Sequence, residues 1–283
     1  MMTIAEKRDL LIEALREEGL NVELISTDKN GITRTGIRYN NAENVQPVFY
    51  ADELLENEPV NYPELVERIK TLFSQAKLEV NPEEITNPEF IRRNVKIRFQ
   101  HQCNKPGVIT RAGFYPDSVQ LMRVVFPYDG GEASVIVTKE LLNAAHISEE
   151  EVWECARKNT DAETVIQNMT EVMAHMGFGE AVSDLEFEQS SGSVMYVITN
   201  RSTACGASCI LNTNAIKARV AELSADYDRV VCIPSSVHEN IFVPLRRGDA
   251  YDEQQYREMI SNVNGTQVPE EDLLSGEPML IQL

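Results

Sequence analysis

The run Val194-Met-Tyr-Val-Ile-Thr-Asn-Arg-Ser-Thr-Ala-Cys-Gly-Ala-Ser208 decides how the chain is read, together with Arg229-Val-Val-Cys-Ile-Pro-Ser-Ser-Val-His-Glu-Asn-Ile-Phe-Val-Pro-Leu245. Apolar and β-branched residues dominate the start of the first run and both ends of the second, as strands require. An apolar helix joins the two runs. The second run is interrupted by a turn carrying Ser235, Ser236, His238 and Glu239. Nowhere else do nucleophilic, basic and acidic side chains crowd between buried elements.

Working outward, helices and hairpins alternate irregularly. Thr3 and Glu6 make a capping box ahead of Leu10, Leu11, Ala14 and Leu15, with Gly19 as the stop. Asn30-Gly31 predicts a hairpin between Val22–Ile25 and a strand ending at Tyr39. Pro63 opens a helix whose core face is Leu65, Val66, Ile69, Leu72, Phe73 and Ala76. Val95, Ile97 and Phe99 alternate with Lys96 and Arg98 as in a half-buried strand, and 101–117 reads as irregular.

A second hairpin is predicted around Asp129-Gly-Gly131. Thr138 and Ser148 cap helices, and a further helix spans about 161–176, where Met169, Met173 and Met176 read as gap-filling core. Glu186–Ser193 is the most linker-like segment. Tyr256, Met259, Ile260 and Val263 form a last helix that Asn264-Gly265 ends. Without a sustained strand–helix–strand rhythm, the fold class is α+β, with mixed or antiparallel hairpins packed on amphipathic helices. The expected organisation is an N-terminal α/β lobe over 1–93 and a C-terminal α+β lobe over 94–283, or one continuous domain.

Composition excludes several classes. At 283 residues, 42% hydrophobic and 25% charged, the chain has a core of its own. No apolar run is long enough to span a membrane, the first residues lack the order of a secretory signal, and five cysteines make no disulfide framework. These features place the protein in the cytoplasm. The net charge of −19 argues against direct binding to nucleic acid, which needs clustered Lys and Arg. A nucleic-acid mimic would need acids spaced like phosphates on one face; runs such as Glu149-Glu-Glu151 read instead as solvated helix faces.

The chemistry centres on the opening stretch. Hydrolytic catalysis needs a hydroxyl beside a base that a carboxylate orients. Ser236 or Ser235 as nucleophile, His238 as base and Glu239, or a distant carboxylate, supply the residue types. Ser236 and His238 share a face in extended chain, whereas His238 and Glu239 do not. The alternative is that the turn uses its polar groups to satisfy buried backbone. Tyr196, Asn200, Gly206 and Ser235 are the candidate ligand-binding positions around an adjoining groove. Cys205, Cys209, Cys232 and His238 match a Cys₃His metal set only loosely, because zinc knuckles are tighter and paired; no metal or cofactor is expected. Thr203-Ala-Cys-Gly-Ala-Ser208 offers amides at a helix start, but small residues there also serve close helix-on-strand packing.

These pieces resemble a bacterial family of unknown function, common in gut Gram-positive anaerobes and often found near mobile elements. The resemblance rests on Asn30-Gly31, Pro47-Val-Phe-Tyr50, Tyr196-Val-Ile-Thr-Asn200, Gly206-Ala-Ser-Cys-Ile-Leu211, Pro234-Ser-Ser-Val-His-Glu239 and Val263-Asn-Gly-Thr-Gln-Val268. It implies no established activity, cofactor or catalytic residue. It implies that the Tyr196 and Ser235–Glu239 segments belong to the family signature. The family pattern often carries an Arg-centred stretch near the middle strand; here that region reads Phe99-Gln-His-Gln-Cys-Asn104, so no role follows from that Arg. The expected function is a non-catalytic accessory protein binding a protein or small ligand near 196–239, with a Ser/His hydrolase or transferase as the alternative.

Overall fold

A computed structural model describes residues 2–40, 46–56, 58–75, 80–128, 131–174 and 194–283. The expected linker at 186–193, the turn residues Asp129 and Gly130, and Ala76, Met176 and His175 lie outside them. The architecture is α+β with three antiparallel sheets. Two compact units divide the chain, Met1–Ile85 and Thr86–Leu283. The helix Pro88–Asn94, capped by Asn87, buries Ile91 in the core of the second unit.

In the first unit, α1 (Ile4–Glu17) and α3 (Tyr62–Gln75) pack on a sheet of β1 (Val22–Lys29), β2 (Ile32–Tyr39) and β3 (Val48–Phe49), with α2 (Asp52–Glu56) between. The Thr3–Glu6 capping box is complete. Asn30 and Gly31 carry φ of 57° and 84°, the two positive values a type I′ turn requires. The core stripes differ from the expected ones. Leu10 and Leu72 are 41% and 40% exposed, while Ile12 and the stem of Lys7 turn inward. Lys7 stays solvated by protein: its Nζ donates to Leu55 O at 2.8 Å and pairs with Glu58. A short α4 (Pro82–Ile85) closes the unit.

The second unit holds two sheets. One combines β4 (Val95–Gln100), β5 (Thr110–Ala112), β6 (Val119–Tyr128) and β7 (Gly131–Ile136); β6 pairs with β4 on one side and with β5 and β7 on the other. Helices α5 (Pro88–Asn94), α6 (Lys139–Ala145) and α7 (Glu149–Ala162) accompany it, and α7 lies against β4. The five-stranded sheet has the order β12-β10-β11-β9-β8, from β8 (Thr164–Asn168), β9 (Tyr196–Asn200), β10 (Tyr227–Pro234), β11 (Asn240–Arg246) and β12 (Met279–Gln282). The remaining α-helices among the described residues are α8 (Met169–Met173), α9 (Thr213–Ala221) and α10 (Glu253–Thr266).

The free edge of β4 is sealed by side chains. Ile97 N donates to Thr160 Oγ1 at 3.0 Å, Ser208 Oγ donates to Ile97 O at 2.7 Å, and Asn159 Nδ2 reaches Val95 O at 2.8 Å. This edge joins the first sheet to α7 and to the 3₁₀ turn Ala207–Leu211.

Three sequence-based expectations are corrected. The helix over 161–176 is the end of α7, then strand β8, then the short α8. Thr164-Val-Ile166 is β-branched, and its pairing with β9 outweighs helical spacing. Met169 and Met173 are consequently only half-buried, not core. The irregular 101–117 contains β5, three residues held by Thr110↔Leu121 and its neighbours. Gly265 does not stop α10, which runs on to Thr266.

Candidate functional site

The turn between β10 and β11 brings Ser235, Ser236, His238 and Glu239 together, and each side chain has a defined task. Ser235 Oγ donates to Glu239 Oε1 at 3.2 Å. Ser236 Oγ accepts the backbone N–H of His238 at 3.1 Å, so the hydroxyl meets the histidine's amide and not its ring. His238 Nδ1 accepts the backbone N–H of Cys205 at 3.1 Å. Its Nε2 lies 3.3 Å from Asp272 Oδ1. The carboxylate beside the imidazole is therefore Asp272, not Glu239. Nδ1 as acceptor assigns the proton of the neutral ring to Nε2, facing that carboxylate.

The backbone of this turn is equally engaged. His238 O accepts from Gly206 N at 2.9 Å and from Thr199 Oγ1 at 2.8 Å. Val237 O accepts from Ala207 N at 3.3 Å, and Val237 N donates to Asp272 O at 2.8 Å. The amides of Cys205, Gly206 and Ala207 are all spent on 237–238, which leaves none of the three for an anion. Gly206 is needed for steric reasons: a Cβ there would meet Thr199 Oγ1, lie 2.5 Å from Asn200 N and 2.9 Å from His238 O. Cys205 and Thr203 both hold positive φ in this tight passage.

The other candidate positions also face inward. Tyr196 is 3% exposed, stacks on Phe242 with ring centroids 5.1 Å apart, and carries the Arg219 guanidinium 5.0 Å from its ring. Burial pushes its phenol up from the ordinary value. Asn200 braces the turn, donating to Ala204 O at 2.9 Å and accepting from Ala204 N at 3.2 Å. Beneath lies a chamber of about 10 Å³, lined in part by Lys96, Arg123, Asn200 and Cys205, with room for about one water. Lys96 Nζ pairs with Glu163 at 2.7 Å, and Arg123 donates to Ala204 O at 3.0 Å. Cys232 is buried in β10, and burial raises the thiol of Cys209 to about 11. Among the described residues no group of three or more His, Cys, Asp or Glu is placed to hold a metal.

A larger recess, which the sequence did not suggest, lies along α7. It is a groove of about 620 Å³ between α7 and the first sheet. Its sheet side is Ile97, Arg111 and Gln120, and its helix side is the α7 stripe from Glu150 to Asp161. Arg111 places its guanidinium 4.6 Å from the Trp153 ring centre and pairs with Glu150 at 2.7 Å. Arg157 pairs with Asp161 at 3.0 Å and donates to Leu211 O. The available signal was the α7 spacing 150, 153, 154, 157, 158, 161, a single helical face that is polar apart from one tryptophan. Asp272 left no local signal, because it meets His238 only in three dimensions.

The family model described as "Family of unknown function (DUF5688)" matches residues 5–279, and the chain belongs to that family. No curated protein and no solved structure matches it.

Proposed function

We propose that this member of a family of unknown function is a non-catalytic binding protein, an accessory to a protein or small-molecule partner. The observation that carries the reading is the engagement of His238: one ring nitrogen holds the Cys205 amide and the other faces Asp272. A general base needs a free lone pair toward its nucleophile. Ser236, whose oxygen serves the His238 amide, completes a set of polar groups that stabilise the crossing of two loops. The groove beside α7 supplies the open, partly apolar space that a ligand uses, within the usual range of about 300–1,000 Å³. A cytoplasmic setting, expected from the composition, and a bacterial one near mobile elements, expected from the family resemblance, are part of this reading. No helix among the described residues is long and apolar enough to cross a membrane.

One observation favours the second reading, a Ser/His hydrolase or transferase: the imidazole of His238 is aligned by a carboxylate, as in a triad. A fluorophosphonate probe separates the two. The binding reading expects no labelled serine. Labelling at Ser235 or Ser236 that disappears in His238→Ala overturns it in favour of catalysis.

A further inference from the structure

We infer that the groove beside α7 binds a short peptide with free termini, its ammonium end on Glu154 and its carboxylate end on Lys158. This deepens the binding reading above and rests on it. The geometry comes from two periodicities. Gln120 and Arg111 are cross-strand partners on β6 and β5, and Ile97 on β4 shares their face. Opposite them, residues of α7 three and four apart form one stripe.

The charges in the groove balance. Arg111 is matched with Glu150 and Arg157 with Asp161. That leaves Glu154 and Lys158, both lining the groove, both exposed, and both without a hydrogen-bond or ion-pair partner among the described residues. They stand one turn apart, about 6 Å along the helix axis. A purely anionic ligand meets Glu154 unscreened, and a purely cationic one meets Lys158. A dipolar ligand satisfies both. Internal pairing of the two side chains competes little, because an exposed pair at this spacing is weak. The overall charge of −19 further disfavours anionic ligands at long range.

One more feature fits a peptide. Ile97 and Trp153, each 4% exposed, show the groove a small apolar surface against which a side chain between the termini rests.

Trp153 is the only tryptophan in the chain, so its emission reports occupancy of this groove directly. The probe is trileucine, titrated into the full chain. The expected result is a saturable change in emission that weakens by about two- to fivefold in Glu154→Ala and in Lys158→Ala, and by about fivefold or more with N-acetylated, C-amidated trileucine, which loses both pairs. Both substitutions are at exposed positions and leave the melting temperature unchanged. A flat titration to about 10 mM overturns the assignment, as does equal affinity of the capped peptide or of both variants. A flat titration with no fluorophosphonate labelling removes the peptide while leaving the binding reading in place.

Discussion

Cys205 donates its backbone N–H to Nδ1 of His238 at 3.1 Å, joining two loops 33 residues apart in sequence. That bond, with Asp272 on the far nitrogen, makes the ring a strut between β9, β11 and the segment around 272. His238→Ala removes the acceptor for a partly buried amide, which costs about 1–3 kcal/mol. Thermal melting then falls by about 2–4 °C per kcal/mol in a unit of this size. An unchanged midpoint would show that the ring is not there for stability and would bring catalysis back into view.

The hydroxyl of fully buried Tyr115 donates to Asn240 Oδ1 at 2.7 Å, and Asn240 Nδ2 donates to Ala207 O at 2.6 Å. Asn240→Leu strands a phenol and a carbonyl at once, whereas Tyr115→Phe strands one lone pair of an amide that keeps its other bond. Chemical denaturation should therefore rank Asn240→Leu well below Tyr115→Phe, with the former losing about 2 kcal/mol or more.

Glycine substitutions separate a close approach from a free surface. Gly206→Ala drives a Cβ into Asn200 N and His238 O, backbone that cannot step aside, and should cost about 1–3 kcal/mol at the upper end. Gly265 lies within α10 with nothing near its would-be Cβ. Gly265→Ala should be neutral or stabilising by up to about 1 kcal/mol. Paired melting curves check both signs.

The five cysteines should divide by reactivity. Burial holds the thiols of Cys209, at about 11, and Cys232, higher still, in the protonated form at neutral pH. Alkylation requires thiolate, so iodoacetamide at pH 8 should modify the half-buried Cys103, Cys155 and Cys205 first. Raising the pH toward 11 opens Cys209 before Cys232. Mass mapping that finds Cys232 labelled early in folded protein would contradict its burial.

What was legible in the sequence was local. Asn30-Gly31 names its own turn because the required φ values belong to those two residues. Thr138 and Ser148 cap their helices through amides three residues on. Leu10 and Leu72 read as core because they sit close to the buried stripe of their helices. Only packing decides that the stripe is centred on Leu11 and Leu15 in one and on Val66 and Ile69 in the other. β8 was hidden because its partner β9 arrives 28 residues later, and β5 because three residues carry no periodicity. At the candidate site, the crowding around Ser236 and His238 was visible. Which atom of each met which neighbour was not. The roles went to amides and to Asp272, which sequence spacing does not reveal.

The sealing of β4 bears on how this protein survives in a crowded cell. An open strand edge is a template onto which a second chain can polymerise. Here Thr160, Ser208 and Asn159 occupy the hydrogen-bonding groups of Val95 and Ile97 without adding a strand. Thr160 Oγ1 in turn donates to Ala156 O at 2.8 Å, and Asn159 Nδ2 also reaches Arg92 O, so the edge is tied into α7 and α5 and offers a second chain no open row there. Thr160→Val keeps the shape, removes the hydroxyl and leaves the buried Ile97 amide without its partner, which costs about 1–3 kcal/mol. The damage would surface first as a lower melting midpoint.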